Sequence, residues 1–419
     1  MNSTLPAELF KDRINFILEL ALHLHTSGTT VNRLESALAR VAHKLNLEVS
    51  IWSNPTGIMI SFLDPEKGEP YTITRIMRLK PGETNLGRLA DADAIAEQVM
   101  AGTLDIQTGL NKLKVQDQEK SLARLLFRVL CYGLASAMVV SLFPRTGWAD
   151  FYTSLGLGFL VGLLVQHSSK HTNINDAHEA IGAFLVTLIV SMIACFIAPL
   201  SIQSVIVSAL ITLMPGLMLT QSVNELASQQ MVSGSARFAG AVTILMKLVF
   251  GSIFATGLVQ LFDWSFLPNA NAPVLPAWMY WLMLLPGSFA LAVLFKTNKR
   301  DMPIAMASVL LGFGVMKLCS LVPAIVNGTL PLAAFLAALV VTMVSNIYAR
   351  IYNRPGALIR VPGIILLVPG SLGFHTLNIA LAQDISSSLD LAFSVLSALT
   401  ALVAGILFGN LLVSSRRNL

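Results

Sequence analysis

Between about Leu122 and Val413 the chain carries ten apolar stretches, each near the roughly 20 residues that a helix needs to cross a hydrocarbon core. They run approximately 122–143, 152–168, 179–199, 202–221 and 236–262, then 277–295, 302–323, 330–349, 358–378 and 387–413. Lipid offers no hydrogen-bond partner to a bare backbone, so such a chain is confined to a bundle of spanning helices. Composition agrees: 54% of residues are hydrophobic and 12% charged, about half the charged share of a soluble domain. The net charge of +5 is then a topology signal and not a nucleic-acid footprint, because inner loops of membrane proteins gather Lys and Arg. Lys170, Arg237, Lys296, Lys299, Arg300, Arg350, Arg354 and Arg360 fall on alternate loops and Arg416 and Arg417 on the tail, whereas the opposite loops carry only Arg145. The first residues, MNSTLPAELFKDRINF, are too charged for a secretory signal core. The expectation is a multi-pass protein of the cytoplasmic (inner) membrane, with both termini in the cytosol and lipid around the bundle. Cys131, Cys195 and Cys319 sit far apart in apolar runs and read as buried free thiols.

Two of the stretches share an element. Leu213-Met214-Pro215-Gly216 in the fourth recurs as Leu367-Val368-Pro369-Gly370 in the ninth. At the same offset Asn224 matches Asn378, Gln229 matches Gln383, Ser233 matches Ser387, Gly251 matches Gly405 and Phe254 matches Phe408. Phe184-Leu185 repeats as Phe335-Leu336 at a slightly shorter offset. Five spans per repeat is an odd number, so two related halves in series enter the membrane from opposite sides. The predicted fold is a membrane all-α bundle of ten transmembrane helices, a 5+5 inverted repeat with Pro-Gly-broken helices. In secondary transporters such breaks place backbone groups beside a substrate near the midplane. The same symmetry also serves channels, so fold alone does not fix transport.

Ahead of the bundle, residues 1–120 are polar and mixed in charge. Apolar residues recur at helical spacing from Leu9 to Leu24 and from Val31 to Leu45, a helical hairpin. Val49–Trp52 and Ile58–Phe62 flank Asn54-Pro55-Thr56-Gly57 as two strands and a turn, with Tyr71–Ile76 as a third strand. The division is a cytosolic α/β domain at 1–120, a first five-helix half at 121–265 and a second at 266–419.

Gly28-Thr29-Thr30-Val31-Asn32-Arg33-Leu34-Glu35, followed by Asn54-Pro55-Thr56-Gly57-Ile58, resembles the amino-terminal signature of the threonine/serine exporter family, as do the Leu-x-Pro-Gly elements in both halves. Val31 stands where many members have a small hydroxyl residue. The resemblance implies export of threonine, serine or a similar small polar metabolite, driven as an antiporter by the proton gradient. A related two-subunit system exports a dicarboxylate such as succinate, which gives the alternative substrate. No cofactor is implied.

The substrate-binding candidates are Pro215, Gly216, Thr220 and Asn224 in the first half and Pro369, Gly370, Thr376 and Asn378 in the second. Thr220, Asn224 and Ser228 recur every four residues and share a helix face. Lys247 lies near the middle of the fifth stretch, where a charge is costly and needs a cavity or a partner. With Glu225 it is the ion-coupling candidate, although Glu225 has Ile379 as repeat partner and also reads as a solvated loop carboxylate. The domain signature is Gly28, Arg33, Glu35, Pro55, Thr56 and Gly57, with Arg33 and Glu35 taken to cap or tie the hairpin. His167, His171 and His178 crowd one loop without metal-ligand spacing, so no metal is expected. The chain lacks a GxxxxGK[ST] phosphate loop and a Gly-x-Ser-x-Gly turn, which argues against an ATP-driven pump and a serine hydrolase; it is not read as an enzyme. Assembly of several copies is left open.

Overall fold

The computed structural model describes residues 7–63, 72–115, 122–169, 171–267, 274–322, 331–381 and 385–414. The predicted roles of Lys170, Gln383, Arg416 and Arg417 lie outside them. In the amino-terminal domain α1 (Ala7–Thr26) and α2 (Val31–Lys44) form a hairpin. It packs with a three-stranded antiparallel sheet, β1 (Glu48–Asn54), β2 (Gly57–Leu63) and β3 (Thr72–Arg78), in that order. The apolar residues of α2, Val31, Leu34, Leu38 and Val41, are all buried, as their helical spacing requires. On β2 the period is two: Ile58, Ile60 and Phe62 are buried and Met59 is exposed. Asn54 pairs with Gly57 across a two-residue loop, and its Oδ1 accepts from the Thr56 amide at 2.8 Å and hydroxyl at 2.9 Å, an Asx turn. Next come α3 (Leu86–Met100) and α4 (Ile106–Lys114), N-capped by Asn85 and Asp105.

The apolar region begins with α5 (Leu122–Leu142), α6 (Trp148–Ser168), the short α7 (Thr172–Asn175), α8 (His178–Phe196), α9 (Ile202–Leu210), α10 (Gly216–Ala227) and α11 (Met231–Leu261). It continues with α12 (Ala277–Leu294), α13 (Met302–Cys319), α14 (Leu332–Tyr352), α15 (Ala357–Ile364), α16 (Gly370–Leu381) and α17 (Ile385–Leu412). Among the described residues nine stretches are long and apolar enough to cross a membrane, against ten predicted. The difference is the fourth predicted stretch. α9 ends at Leu210 and α10 restarts at Gly216, because Pro215 has no N–H to donate and cannot continue the ladder. The ninth stretch is also interrupted, by a 3₁₀ turn at Ile365–Leu367 before Pro369, but its parts together are long enough.

Small residues set the closest helix approaches, as expected where lipid provides no drive for helices to associate. A Cβ on Gly251 of α11 would fall 2.2 Å from the Ala180 carbonyl oxygen of α8; one on Gly405 of α17 would fall 2.4 Å from that of Phe335 on α14. The amino-terminal domain is packed on the bundle. Leu86 and Gly87 at the start of α3 donate their amides to the Phe295 and Lys296 carbonyls just past α12, both at 3.0 Å. Free donors of one helix start thus meet acceptors beyond a helix end. One apolar cluster runs continuously from the domain through α14, α15 and α17.

His25, near the end of α1, is buried, with Nε2 3.2 Å from the Lys80 carbonyl oxygen. Burial holds its pKa below the ordinary 6.5. The unfolded chain then binds the proton that the folded domain resists, so this stability is complete above about pH 6.5 and is lost as pH falls. His23 shifts in the same direction. Hydrogen exchange at the α1 and β2 amides is expected to accelerate between about pH 7 and pH 5.5, beyond the intrinsic pH effect. His25→Gln should flatten that dependence.

A polar cavity between the amino-terminal domain and the broken helices

The turn from α1 to α2 places the site. Gly28 ends α1 with φ +75°, and a Cβ there would meet Glu83 and Thr84 backbone atoms at 3.1 Å, so glycine is required by conformation and by space. The turn delivers Thr30 as N-cap of α2, yet the Thr30 side chain makes no capping bond. The cap comes from the bundle: Glu225, at the end of α10, accepts the Val31 amide on Oε1 at 3.1 Å. A carboxylate at a helix start is favoured by the free donors and the dipole. Glu225 is 1% exposed and is paired with Arg237 of α11, Nε to Oε2 3.0 Å. Its Oε2 also accepts from the Ser233 hydroxyl at 2.8 Å. Arg237 in turn donates to the Thr29 carbonyl oxygen at 3.4 Å and to Gln221 Oε1 at 3.5 Å. Glu225 is therefore no solvated loop residue, and Arg237, predicted only as a loop charge, is the buried centre of a junction between domain and bundle.

Beside this junction lies a cavity of about 190 Å³. Gly28, Thr29, Thr30, Asn32 and Arg33 form its wall on the domain side; Thr220, Gln221, Asn224 and Ser228 of α10 and Arg360 of α15 face them, with Asn410 of α17. The signature residues Gly28 and Arg33 and the helix-face residues Thr220 and Asn224 thus meet, although 192 residues separate Asn32 from Asn224 in sequence numbering. The lining includes no Asp or Glu. Arg360 is 8% exposed, and among the described residues neither it nor Arg33 has a side-chain ion pair or hydrogen bond. Enclosure pushes Arg33 down to about 10, so it stays fully charged at neutral pH. Arg360 and Asn410 carry no motif; Arg360 stood out in sequence only as a loop charge.

The other candidates are placed elsewhere. Glu35 faces away from the cavity wall, accepting the Ser53 amide at 2.8 Å and hydroxyl at 3.0 Å, which ties α2 to β1; burial holds its pKa above the ordinary value. Arg33 joins no such tie. Pro55 and Thr56 make the hairpin turn, and Gly57 passes so close to β3 that a Cβ would lie 2.9 Å from the Met77 carbonyl oxygen. Pro215-Gly216 and Pro369-Gly370 meet each other: a Cβ on Gly370 would lie 3.1 Å from the Gly216 Cα. Thr376 turns back to the Leu372 carbonyl oxygen at 2.8 Å, and neither it nor Asn378 lines the cavity. Lys247 lies near the middle of α11 (Met231–Leu261). Its ammonium donates to the Asp176 carbonyl oxygen at 2.7 Å and lies 3.5 Å from Glu179 Oε2, level with the first turn of α8.

Two family models match the chain. One, described as "Putative threonine/serine exporter", covers residues 15–259; the other, "Threonine/Serine exporter, ThrE", covers residues 281–412. The chain belongs to the threonine/serine exporter family. Their extents take in both walls of the cavity, from Gly28 to Asn410. Among curated proteins, the pheromone-regulated membrane protein 10 of Eremothecium gossypii is 23% identical over 389 residues, 89% of this chain and 50% of the relative. An uncharacterised protein of Schizosaccharomyces pombe is 23% identical over 412 residues, 94% of this chain and 47% of its own length. The Candida albicans pheromone-regulated membrane protein 10 is 24% identical over 373 residues, 86% of this chain and 33% of that protein. The chain thus spans half or less of the length of these relatives. No solved structure matches it.

Removing one partner of a buried pair leaves a bare charge, at about 3–5 kcal/mol. Glu225→Ala should therefore lower the thermal midpoint sharply. Replacing both Glu225 and Arg237 with Ala should cost less than the sum of the single changes, read from a double-mutant cycle on the purified protein.

Proposed function

We propose that the protein is a secondary exporter of small polar carboxylate metabolites, threonine and serine first among them, working by alternating access between two five-helix halves. The observation that carries the reading is the crossing of the two Pro-Gly breaks at Gly216 and Gly370, with a cavity of mixed polar and apolar lining beside the helix that leaves the first break. α10 and α16 begin at these matched glycines and both have 12 residues. The Gly251 and Gly405 contacts repeat the same helix pairing in each half. These features fit an inverted repeat whose halves meet at interrupted helices, the arrangement that places transporter sites.

In this reading the amino-terminal domain is cytosolic and the cavity is the inner substrate chamber. A guanidinium receives the substrate carboxylate through paired N–H donors, and Asn224, Thr220 and Ser228 offer groups to a hydroxyl. Inward movement of protons drives export. A second reading, a dicarboxylate substrate, is favoured by one specific fact: among the described residues the cavity holds two arginines without a side-chain partner and no carboxylate to receive an ammonium. Glu225 and Lys247 are both bonded within the protein, so a coupling role for either requires that bond to break during the cycle.

Inverted membrane vesicles, with the cytosolic face outward, test both. Labelled threonine, serine and succinate are offered with and without an imposed proton gradient. The expected result is gradient-driven accumulation, reduced roughly tenfold or more by Asn224→Ala or Arg360→Gln, losses of the size that charged and polar ligand bonds support. Accumulation of succinate alone selects the dicarboxylate reading. Equilibration without accumulation would mean a passive channel and overturn the proposal.

A further inference from the structure

Arg33, half-buried in the cavity wall, fits none of the ordinary uses of such an arginine. It makes no ion pair and no side-chain hydrogen bond among the described residues. Its neighbour in the signature, Glu35, is engaged with Ser53. The carboxylate at the start of the same helix, Glu225, is already bonded to Val31, Ser233 and Arg237. Among the described residues no Asp or Glu lines the cavity that Arg33 faces. An enclosed cation without a counter-charge costs stability, and such groups gather where a ligand later supplies the missing charge.

The surroundings point the same way. Arg360, 8% exposed and likewise without a partner, lines the same cavity from the bundle side. The start of the 14-residue α2 lies in the cavity wall through Thr30 and Asn32, with its first amide already capped by Glu225. Thr29 Oγ1 is buried with no hydrogen-bond partner among the described residues. Two guanidiniums approach from two different bodies, one on the amino-terminal domain and one on the bundle.

We propose that Arg33 is a direct ligand of the substrate carboxylate, so that the amino-terminal domain supplies part of the transport site. The assignment rests on the cavity being that site. Binding then draws on both bodies at once: substrate bridges Arg33 and Arg360, and release to either side requires the bridge to open. Lysine would keep the charge but lose the two-pronged geometry, so Arg33→Lys should bind weakly where Arg33→Gln does not bind.

The test uses the purified full chain in detergent, with ligand-induced shifts in thermal midpoint as readout and threonine, succinate and inorganic phosphate as probes. Expected is a shift with threonine or succinate that weakens at least roughly tenfold in apparent affinity in Arg33→Gln and in Arg360→Gln, with partial return in Arg33→Lys. The ligand-free midpoint of Arg33→Gln should be equal to or above that of the unaltered protein, because a bare enclosed charge has been removed. A lowered ligand-free midpoint would make Arg33 a structural residue and overturn the assignment. Unaltered binding in Arg33→Gln with loss in Arg360→Gln would also overturn it, while leaving the cavity as the transport site. A shift with phosphate alone would make the pair a phosphate site and overturn it as well. No shift with any probe in the unaltered protein would remove both the assignment and the reading of the cavity beneath it.

Discussion

The buried contact between Glu225 and Arg237 is the constraint on which the site depends. Each side chain by itself would be expensive to enclose; together, with Ser233 and the Val31 amide, their polar atoms are satisfied. One product of that arrangement is local, a capped start for α2. The other is long-range: the α1–α2 turn is fixed against the ends of α10 and α11, and the wall carrying Arg33 is held opposite the wall carrying Arg360. The amide bonds of Leu86 and Gly87 and the shared apolar cluster hold the domain on the bundle; the Glu225 joint sets the position of the turn that carries Arg33.

That geometry also separates two kinds of residue in the amino-terminal signature. Gly28, Glu35, Pro55, Thr56 and Gly57 have structural occupations: a left-handed helix end, a tie from α2 to β1, and a tight hairpin. Arg33 has none. A sequence motif mixes residues that make a scaffold with residues that use it, and only their partners tell them apart.

Much of the architecture was legible because it follows from local pattern. Apolar runs of membrane length, helical and two-residue periodicities, the two Pro-Gly breaks and the Asn54 turn are each determined by residues close together in the chain. The site was legible in halves. Thr220 and Asn224 were found from their spacing, and Gly28 and Arg33 from a signature, but nothing local indicates that α2 docks beside α10. Arg237 and Arg360 were counted as topology charges, because a buried cation and a solvated one look alike in one dimension. Glu225 was misjudged for the same reason. The partners of Lys247, Glu179 and the Asp176 carbonyl, were not legible either, because they lie on a different helix and the loop before it.

The amino-terminal domain touches both parts of the apolar region. Its α1–α2 turn is bonded to Glu225 and Arg237 in the first part, and its α3 start to the carbonyls of Phe295 and Lys296 in the second. A domain fastened at one point would ride with whichever helices carried it. Fastened at two, it works as a brace: any rocking of one part against the other either shears one of these joints or turns the domain as a lever between them. In the proposed alternating access the moving parts would then number three, and the stiffness of the third would help set how far the other two can swing.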